Sequence, residues 1–244
     1  MAEEWVYGLN PVLEAIRSGR NIKAVFISSG RHDKVLEIKR EAENRHIPLR
    51  TADISFFDGT FPKGHQGVAA RVQEWRYVEM DRLLEIADKK GEAPFFILLD
   101  EVVDPRNLGA ILRVADAGGV HGIIIEAHRS AGLGSTVAKT SAGAIEHVPV
   151  SRVPNLKNAI KIFSEEGISV VGAEARAEKT IWDVDLNRPI ALILGSEGKG
   201  IRRTLGQRCD ELISIPIVGS VNSLNVSVAA GIIVYEVLRQ RQRK

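Results

Sequence analysis

Apolar runs of strand length recur through the second half of this 244-residue chain. Their pattern predicts buried strands at 95–100, 191–194 and 213–217. A proline turn and a helix follow the first strand, a glycine-rich bend follows the second, and a polar cluster and a helix follow the third. Since open α/β sheets bind ligands at the carboxyl ends of their strands, we expect a functional site there.

The first third of the chain predicts a separate small α/β unit. Strands are expected at 24–27 and 68–72, with an amphipathic helix at 34–46 between them. A polar and aromatic stretch precedes a short helix expected at 80–87. The pattern thus predicts a domain at 1–73, a linker at 74–79 and a larger α/β domain at 80–244.

Composition narrows the function classes only slightly. The net charge is +2, so binding to nucleic acid would need a local basic patch. Cys209 is the single cysteine, which excludes an internal disulfide and suits a reducing compartment. The acidic N-terminus and the absence of a long apolar run predict no secretory signal, no membrane span and a cytoplasmic protein.

Polar residues after the three predicted strands are the candidate site residues. They are Asn107 and Arg113 after the first strand, Gly195 and Glu197 after the second, and Gly219, Asn222, Ser223 and Asn225 after the third. Free N–H groups at a helix N-terminus suit a polar or charged ligand. Several of these candidate residues have a structural alternative. In these alternatives, Asn222 or Ser223 caps the last helix, Asn107 caps the helix that follows the first strand, and Arg113 pairs with Asp116.

Together these three segments closely resemble the signature motifs of the SpoU branch of the SPOUT RNA methyltransferases. The resemblance implies transfer of a methyl group from S-adenosylmethionine to a ribose 2′-hydroxyl. It also implies a C-terminal α/β sheet domain with a deep trefoil knot, which composition and periodicity cannot reveal. Family members are generally homodimers, in which the arginine of the first motif can act across the interface.

The N-terminal unit extends the resemblance to nearly the whole chain. The segments 7–15 and 64–70 are similar to the two ends of the substrate-binding domain of many SpoU enzymes. This layout is typical of the 23S rRNA guanosine-2′-O-methyltransferases, which modify a guanosine of the peptidyl-transferase loop. Within this unit, Asn10 is predicted to cap a helix starting at Pro11, while His65 and Gln66 either shape a turn or contact RNA.

The resemblance also assigns roles to the candidate residues. It implies that the cofactor is bound by Gly195, Ile215, Gly219, Ser223 and Leu224. It implies that the catalytic residues are Asn107, Arg113, Glu197, Ser223 and Asn225. Arginine stays protonated in proteins, so we expect Arg113 to bind RNA phosphate and lower the pKa of the hydroxyl electrostatically. The proton acceptor is left open among a phosphate oxygen, water and Glu197.

Other function classes fit the sequence less well. The loop at 195–200 lacks the spacing of a P-loop, no strand is followed by a dinucleotide fingerprint, and the histidines show no metal-ligand spacing. The alternatives are a tRNA guanosine-2′-O-methyltransferase and a non-catalytic RNA-binding or ribosome-assembly protein. The apolar helix expected at 226–238 either forms a dimer interface or packs inside its own chain.

Overall fold

The computed structural model describes residues 3–29, 33–196, 198–220 and 222–242. It divides into two compact units, one formed by residues 1–76 with 132–147 and the other by residues 77–131 with 148–244. The segment 132–147 belongs to the first unit although the sequence of the second unit surrounds it, which the hydrophobic pattern did not predict.

Strands and helices alternate along most of the described chain. In chain order they are β1 Glu3–Tyr7, α1 Leu9–Arg17, β2 Ile22–Ile27, α2 Asp33–Asn44, β3 Leu49–Thr51, α3 Ile54–Thr60, β4 Val68–Gln73, α4 Met80–Lys90, β5 Phe95–Leu99, α5 Pro105–Ala117, β6 Gly122–Glu126, α6 Ser135–Thr140, a 3₁₀ turn Ala144–Glu146, β7 Val150–Val153, α7 Leu156–Glu165, β8 Ser169–Ala173, β9 Lys179–Thr180, β10 Ile190–Leu194, α8 Arg203–Gly206, β11 Glu211–Ser214 and α9 Val226–Gln242.

The first unit is built on a four-stranded sheet in the order β1-β4-β2-β3. The predicted strands and helix of this unit are confirmed with small changes of bounds. The predicted capping role of Asn10 is wrong, because α1 already begins at Leu9 and Gly8 is its N-cap residue. The amide of Leu9 donates to the side-chain oxygen of Gln66 at 3.2 Å, so a residue distant in sequence caps this helix.

The second unit contains a parallel seven-stranded sheet in the order β7-β6-β5-β10-β8-β11-β9. Every residue of β5, β6 and β10 is buried, as expected for central strands of a parallel sheet. Helices α4 and α7 contribute to one hydrophobic core cluster with these strands. The α/β class predicted from the sequence is therefore confirmed.

The strand predicted at 213–217 is displaced. Strand β11 ends at Ser214, and its neighbours pair with it only as far as that residue. Pro216 follows two residues later and has no N–H group to donate to a sheet. The apolar residues after Ser214 leave the sheet.

Helices α5 and α9 pack closely against each other in the second unit. A Cβ atom at Gly118, just after α5, would lie 2.1 Å from a methyl group of Val234. Among the described residues, no helix is long and apolar enough to cross a membrane. The packing of α5 on α9 places the first predicted motif next to the third.

Candidate functional site

A cavity of about 420 Å³ opens at the carboxyl ends of β8, β10 and β11. Parallel strands end at the same edge of a sheet, so the loops that follow these strands meet there. The second motif contributes Gly195, Ser196 and Gly200 to the cavity wall, and the third contributes Ile215, Ser223 and Leu224. Two of the three predicted motifs therefore share one cavity.

Gly195 is required by the close packing of its own loop. A Cβ atom at this position would lie 2.1–2.4 Å from backbone atoms of Gly200 and Ile201. The loop is closed by the amide of Gly200, which donates to the carbonyl oxygen of Ser196 at 3.0 Å. Any side chain at position 195 would open this bend. The predicted catalytic residue Glu197 lies in the same loop but outside the described residues.

Three residues of the cavity wall have backbone groups without a hydrogen-bond partner among the described residues. Gly195, Ile215 and Leu224 line the cavity, and their backbone groups form no hydrogen bond with any described residue. Backbone N–H and C=O groups are nearly always paired when they are shielded from water. These three residues can therefore offer hydrogen bonds to a polar ligand, whatever their side chains.

Asn225 connects the third motif with the first. Its side-chain oxygen accepts a hydrogen bond from the amide of Ser227 at 2.8 Å, so Asn225 caps α9. Its side-chain nitrogen donates to the side-chain oxygen of Asn107 at 3.1 Å. The N-terminal turns of α5 and α9 are thus joined by a direct bond between two of the predicted catalytic residues.

The alternative capping roles are wrong. Helix α5 is capped by Asp104, whose carboxylate accepts a hydrogen bond from the amide of Arg106 at 2.7 Å, and Asn107 lies one turn inside. Helix α9 is capped by Asn225, so neither Asn222 nor Ser223 has that role. Both of these residues line the cavity instead.

Arg113 and Gly219 stand apart from the cavity. Arg113 is exposed on α5 and, among the described residues, forms no ion pair with Asp116 or another carboxylate. Gly219 is exposed and does not belong to the described residues that line the cavity. The guanidinium of Arg113 is therefore available to a negatively charged partner.

Comparison with known proteins agrees with this geometry. The model of the SpoU rRNA Methylase family matches residues 94–235, which contain all three motifs. The chain belongs to the SpoU rRNA methylase family. A second model, described as RNA 2′-O ribose methyltransferase substrate binding, matches residues 5–78.

Several relatives of this SpoU chain match it over nearly its whole length. It is 44% identical to the putative TrmH family tRNA/rRNA methyltransferase YacO of Bacillus subtilis, with 98% of this chain and 96% of that protein covered. It is 41% identical to the 23S rRNA (guanosine-2′-O-)-methyltransferase RlmB of Escherichia coli K12, with 98% and 99% covered. The crystal structure of the SpoU methyltransferase AviRb from Streptomyces viridochromogenes, in complex with the cofactor AdoMet, superposes with a TM-score of 0.82 at 27% identity, covering 98% of this chain and 90% of that one.

One ionic cluster of this SpoU domain was missed from the sequence. The guanidinium of Arg202 donates to Asp100 at 2.6 Å and to Glu126 at 2.8 Å, and the Arg202 amide donates to the other oxygen of Asp100 at 2.8 Å. Burial raises the pKa of Asp100, and the bonds from Arg202 oppose that rise. The only sequence signal was an acidic residue at the carboxyl end of each of two buried strands, with Asp100 directly after β5 and Glu126 as the last residue of β6.

The Arg202 cluster fixes the end of the glycine-rich loop. Asp100 follows β5 and Glu126 ends β6. Arg202 lies two residues after Gly200, which lines the cavity. Glu126 also accepts from the amide of Leu156 at the start of α7. Arg202 therefore holds the loop against the carboxyl ends of two strands.

In the first unit, the segment 64–67 has a clear structural role. The His65 ring accepts from the amide of Gly67 at 3.1 Å through Nδ1, and Nε2 lies 3.0 Å from a carboxylate oxygen of Asp58. The ring also stacks on Phe57. Together with the capping bond from Gln66, these contacts support the interpretation that His65 and Gln66 shape the turn. The described residues contain no group of three or more His, Cys, Asp or Glu side chains placed to hold a metal ion.

Proposed function

We propose that this chain transfers a methyl group from S-adenosylmethionine to a ribose 2′-hydroxyl of RNA, and that its substrate is a guanosine of 23S rRNA. The observation that carries the reaction type is the Asn107–Asn225 hydrogen bond, which joins the first motif to the third beside a cavity built by the second and third. The rRNA substrate is supported by near full-length relatives that are named as 23S rRNA guanosine methyltransferases.

The cavity fits the cofactor in size and in chemistry. A volume of about 420 Å³ lies within the range of ordinary small-molecule sites. The backbone groups of Gly195, Ile215 and Leu224, which have no partner among the described residues, match the hydrogen-bonding edges of adenine and ribose. The side chains of Ile215 and Leu224 offer apolar contact to the base. When bound, S-adenosylmethionine supplies an electrophilic methyl group on a positively charged sulfur.

Arg113 is proposed to position the RNA and to promote loss of the hydroxyl proton. Its exposed guanidinium is free of ion pairs with the described residues, so it can bind an RNA phosphate in bidentate fashion. A fixed positive charge next to the ribose lowers the pKa of the 2′-hydroxyl. Since arginine cannot accept the proton, a phosphate oxygen, water or Glu197 accepts it.

We propose that three polar residues, Asn107, Ser223 and Asn225, orient the reacting groups. The bond between the two asparagines fixes the helix that carries Arg113 relative to the cavity wall. Ser223 lies in that wall and offers a hydroxyl to bound ligand. Gly219 is proposed to contribute to cofactor binding as part of the segment that leads to residues 222–224. Holding two reactants in the right geometry is a major part of rate enhancement.

The trefoil knot and the cellular location of the chain are also proposals. A trefoil knot in the C-terminal domain is supported by membership of the SpoU family. We place the chain in the cytoplasm because that is where the proposed rRNA substrate is found.

A homodimer is supported by the surface of α9. Val228, Ile232 and Tyr235 are exposed along one side of this helix, while Ala230, Ile233 and Val237 are buried in the chain's own core. An apolar stripe on a long helix that does not pack inside its own chain is suited to a second copy. In such a dimer, Arg113 is proposed to act in its own or the partner subunit's site.

Transfer of labelled methyl from S-adenosylmethionine to unmodified 23S rRNA, and separately to bulk unmodified tRNA, tests the function. We expect labelling of the rRNA alone, mapped to a guanosine 2′-oxygen. Arg113→Ala is expected to reduce labelling about a hundredfold or more, since a charged group acting on the reacting centre commonly contributes that much. The matched control is Arg82→Ala, which removes an exposed arginine paired on the surface of α4 and should leave the rate unchanged.

The other outcomes distinguish the alternatives. Labelling of tRNA alone would support the proposed methyl transfer but show that the substrate is tRNA and not 23S rRNA. Labelling of neither RNA, together with no binding of S-adenosylmethionine by calorimetry, would favour a non-catalytic ribosome-assembly protein.

A further inference from the structure

Glu174 is a cavity residue that no motif includes. It directly follows β8, the strand that lies between β10 and β11 in the sheet. Its side chain lines the cavity formed at the ends of these strands and is half-buried. Its position is therefore central to the three loops that build the site.

The Glu174 carboxylate packs against Gly200 and has no donor in the part of the chain that the structure describes. A Cβ atom added to Gly200 would lie 2.8 and 3.1 Å from the two carboxylate oxygens, so the carboxylate occupies the space that a side chain at 200 would need. Among the described residues, nothing donates a hydrogen bond to this carboxylate or forms an ion pair with it. A ligand that supplies donors to this half-buried carboxylate forms charge-assisted hydrogen bonds, which are stronger than those between neutral groups.

The charge of the cavity points to the kind of group that Glu174 binds. The charged residues among its described lining are Glu174, Arg176 and Lys199, so Glu174 is the one carboxylate of that set. S-adenosylmethionine carries two kinds of strong donor, the ribose hydroxyls and the ammonium group. Building on the function proposed above, we propose that Glu174 binds the cofactor by accepting hydrogen bonds from one of these donor groups.

Calorimetric binding of three ligands to the full chain tests this assignment. S-adenosylmethionine and S-adenosylhomocysteine carry both donor groups, whereas 5′-methylthioadenosine carries the ribose hydroxyls alone. We expect Glu174→Ala to weaken S-adenosylmethionine binding about tenfold to a hundredfold, as is usual for loss of a hydrogen bond to a charged group. Weaker binding of all three ligands places the partner of Glu174 on the adenosine part that they share, which carries the ribose hydroxyls. Weaker binding of only the first two places it on the ammonium group.

The control variant is Glu178→Ala, which removes an exposed carboxylate from the same loop outside the described cavity lining. It should bind all three ligands like the wild type. Thermal melting checks that each variant is folded. Unchanged binding of all three ligands by Glu174→Ala would overturn the assignment while leaving the proposed function intact. If the wild type itself bound no S-adenosylmethionine, the assignment of Glu174 and the proposed function would both be wrong.

Discussion

The charge of Asp100 depends on one arginine. Asp100 is fully buried, and its described side-chain partners are the guanidinium and amide of Arg202. Desolvation of a carboxylate is costly, and only close pairing with good hydrogen bonds offsets it. The Arg202 cluster therefore has a larger effect on stability than the surface ion pairs of this chain, which are mostly exposed to solvent and screened.

Arg202→Ala should accordingly lower the free energy of unfolding by about 3–5 kcal/mol, because it leaves Asp100 buried without its partner. Chemical denaturation with a chain-wide probe measures this change. Arg82→Ala, which breaks an exposed pair with Glu85, should cost less than about 1 kcal/mol. Adding Asp100→Asn to the Arg202 variant should recover part of the loss, since the buried charge is then absent. Equal effects of the two arginine variants would contradict this account.

Cys209 is expected to be nearly inert in the folded protein. Burial, with a smaller effect of Asp210, raises the pKa of its thiol to about 12. The thiolate is the reactive form of cysteine, and on the order of one molecule in ten thousand carries it at pH 8. A thiol reagent such as dithionitrobenzoate should therefore label the native chain far more slowly than the chain unfolded in guanidinium. Equal labelling rates in the two states would show that the thiol is accessible and as reactive in the folded chain as in the unfolded one.

At the scale of elements, the N-terminus of α9 combines stability with function. Asn225 caps the helix through its side-chain oxygen and binds Asn107 through its side-chain nitrogen. The two roles use different atoms of one side chain. They can therefore be separated by substitution.

Asn225→Ala removes both roles, whereas Asn225→Asp keeps the capping oxygen and removes the nitrogen donor. The alanine variant should be destabilised by about 0.5–2 kcal/mol, the usual cost of losing an N-cap. The aspartate variant should melt close to the wild type but methylate RNA about two- to tenfold more slowly, as expected for one lost hydrogen bond. Thermal melts and methyl-transfer rates measure the two effects. If the aspartate variant kept full activity, the Asn107–Asn225 bond would have no part in the reaction.

At the scale of the whole molecule, the proposed dimer explains why α9 is apolar on both sides. Tyr235 and Val228 are about half exposed, so a charge at either position is tolerated in a monomer. Val228→Glu with Tyr235→Glu should convert a dimer to a folded monomer, measured by light scattering with a thermal melt. Leu36→Glu, at an exposed apolar position of α2, should leave the mass unchanged. A monomeric wild type at working concentration would contradict the proposal.

The local pattern of the sequence predicted the strands and helices that carry the three motifs, but not β6, β7 or β8 between them. Strands β5 and β10 appear as continuous apolar runs because both of their faces are buried. Gly195 and Asn225 were identified as candidate site residues because they lie in a glycine-rich bend and at a helix start after buried strands. The sequence did not predict that Asn225, and not Asn222 or Ser223, caps α9. The end of β11 was missed because its apolar pattern continues past Ser214, and hydrophobicity does not distinguish a strand residue from one that lines a cavity.

What the sequence alone determined is the α/β class and the set of residues available for the chemistry, since both depend on local periodicity and residue type. Tertiary structure decided which of those residues meet. The Asn107–Asn225 bond spans 118 positions and the Asp100–Arg202 pair spans 102. The grouping of 132–147 with the first unit is equally non-local. No local pattern encodes such contacts, because they arise only when the strands assemble in an order different from their order along the chain.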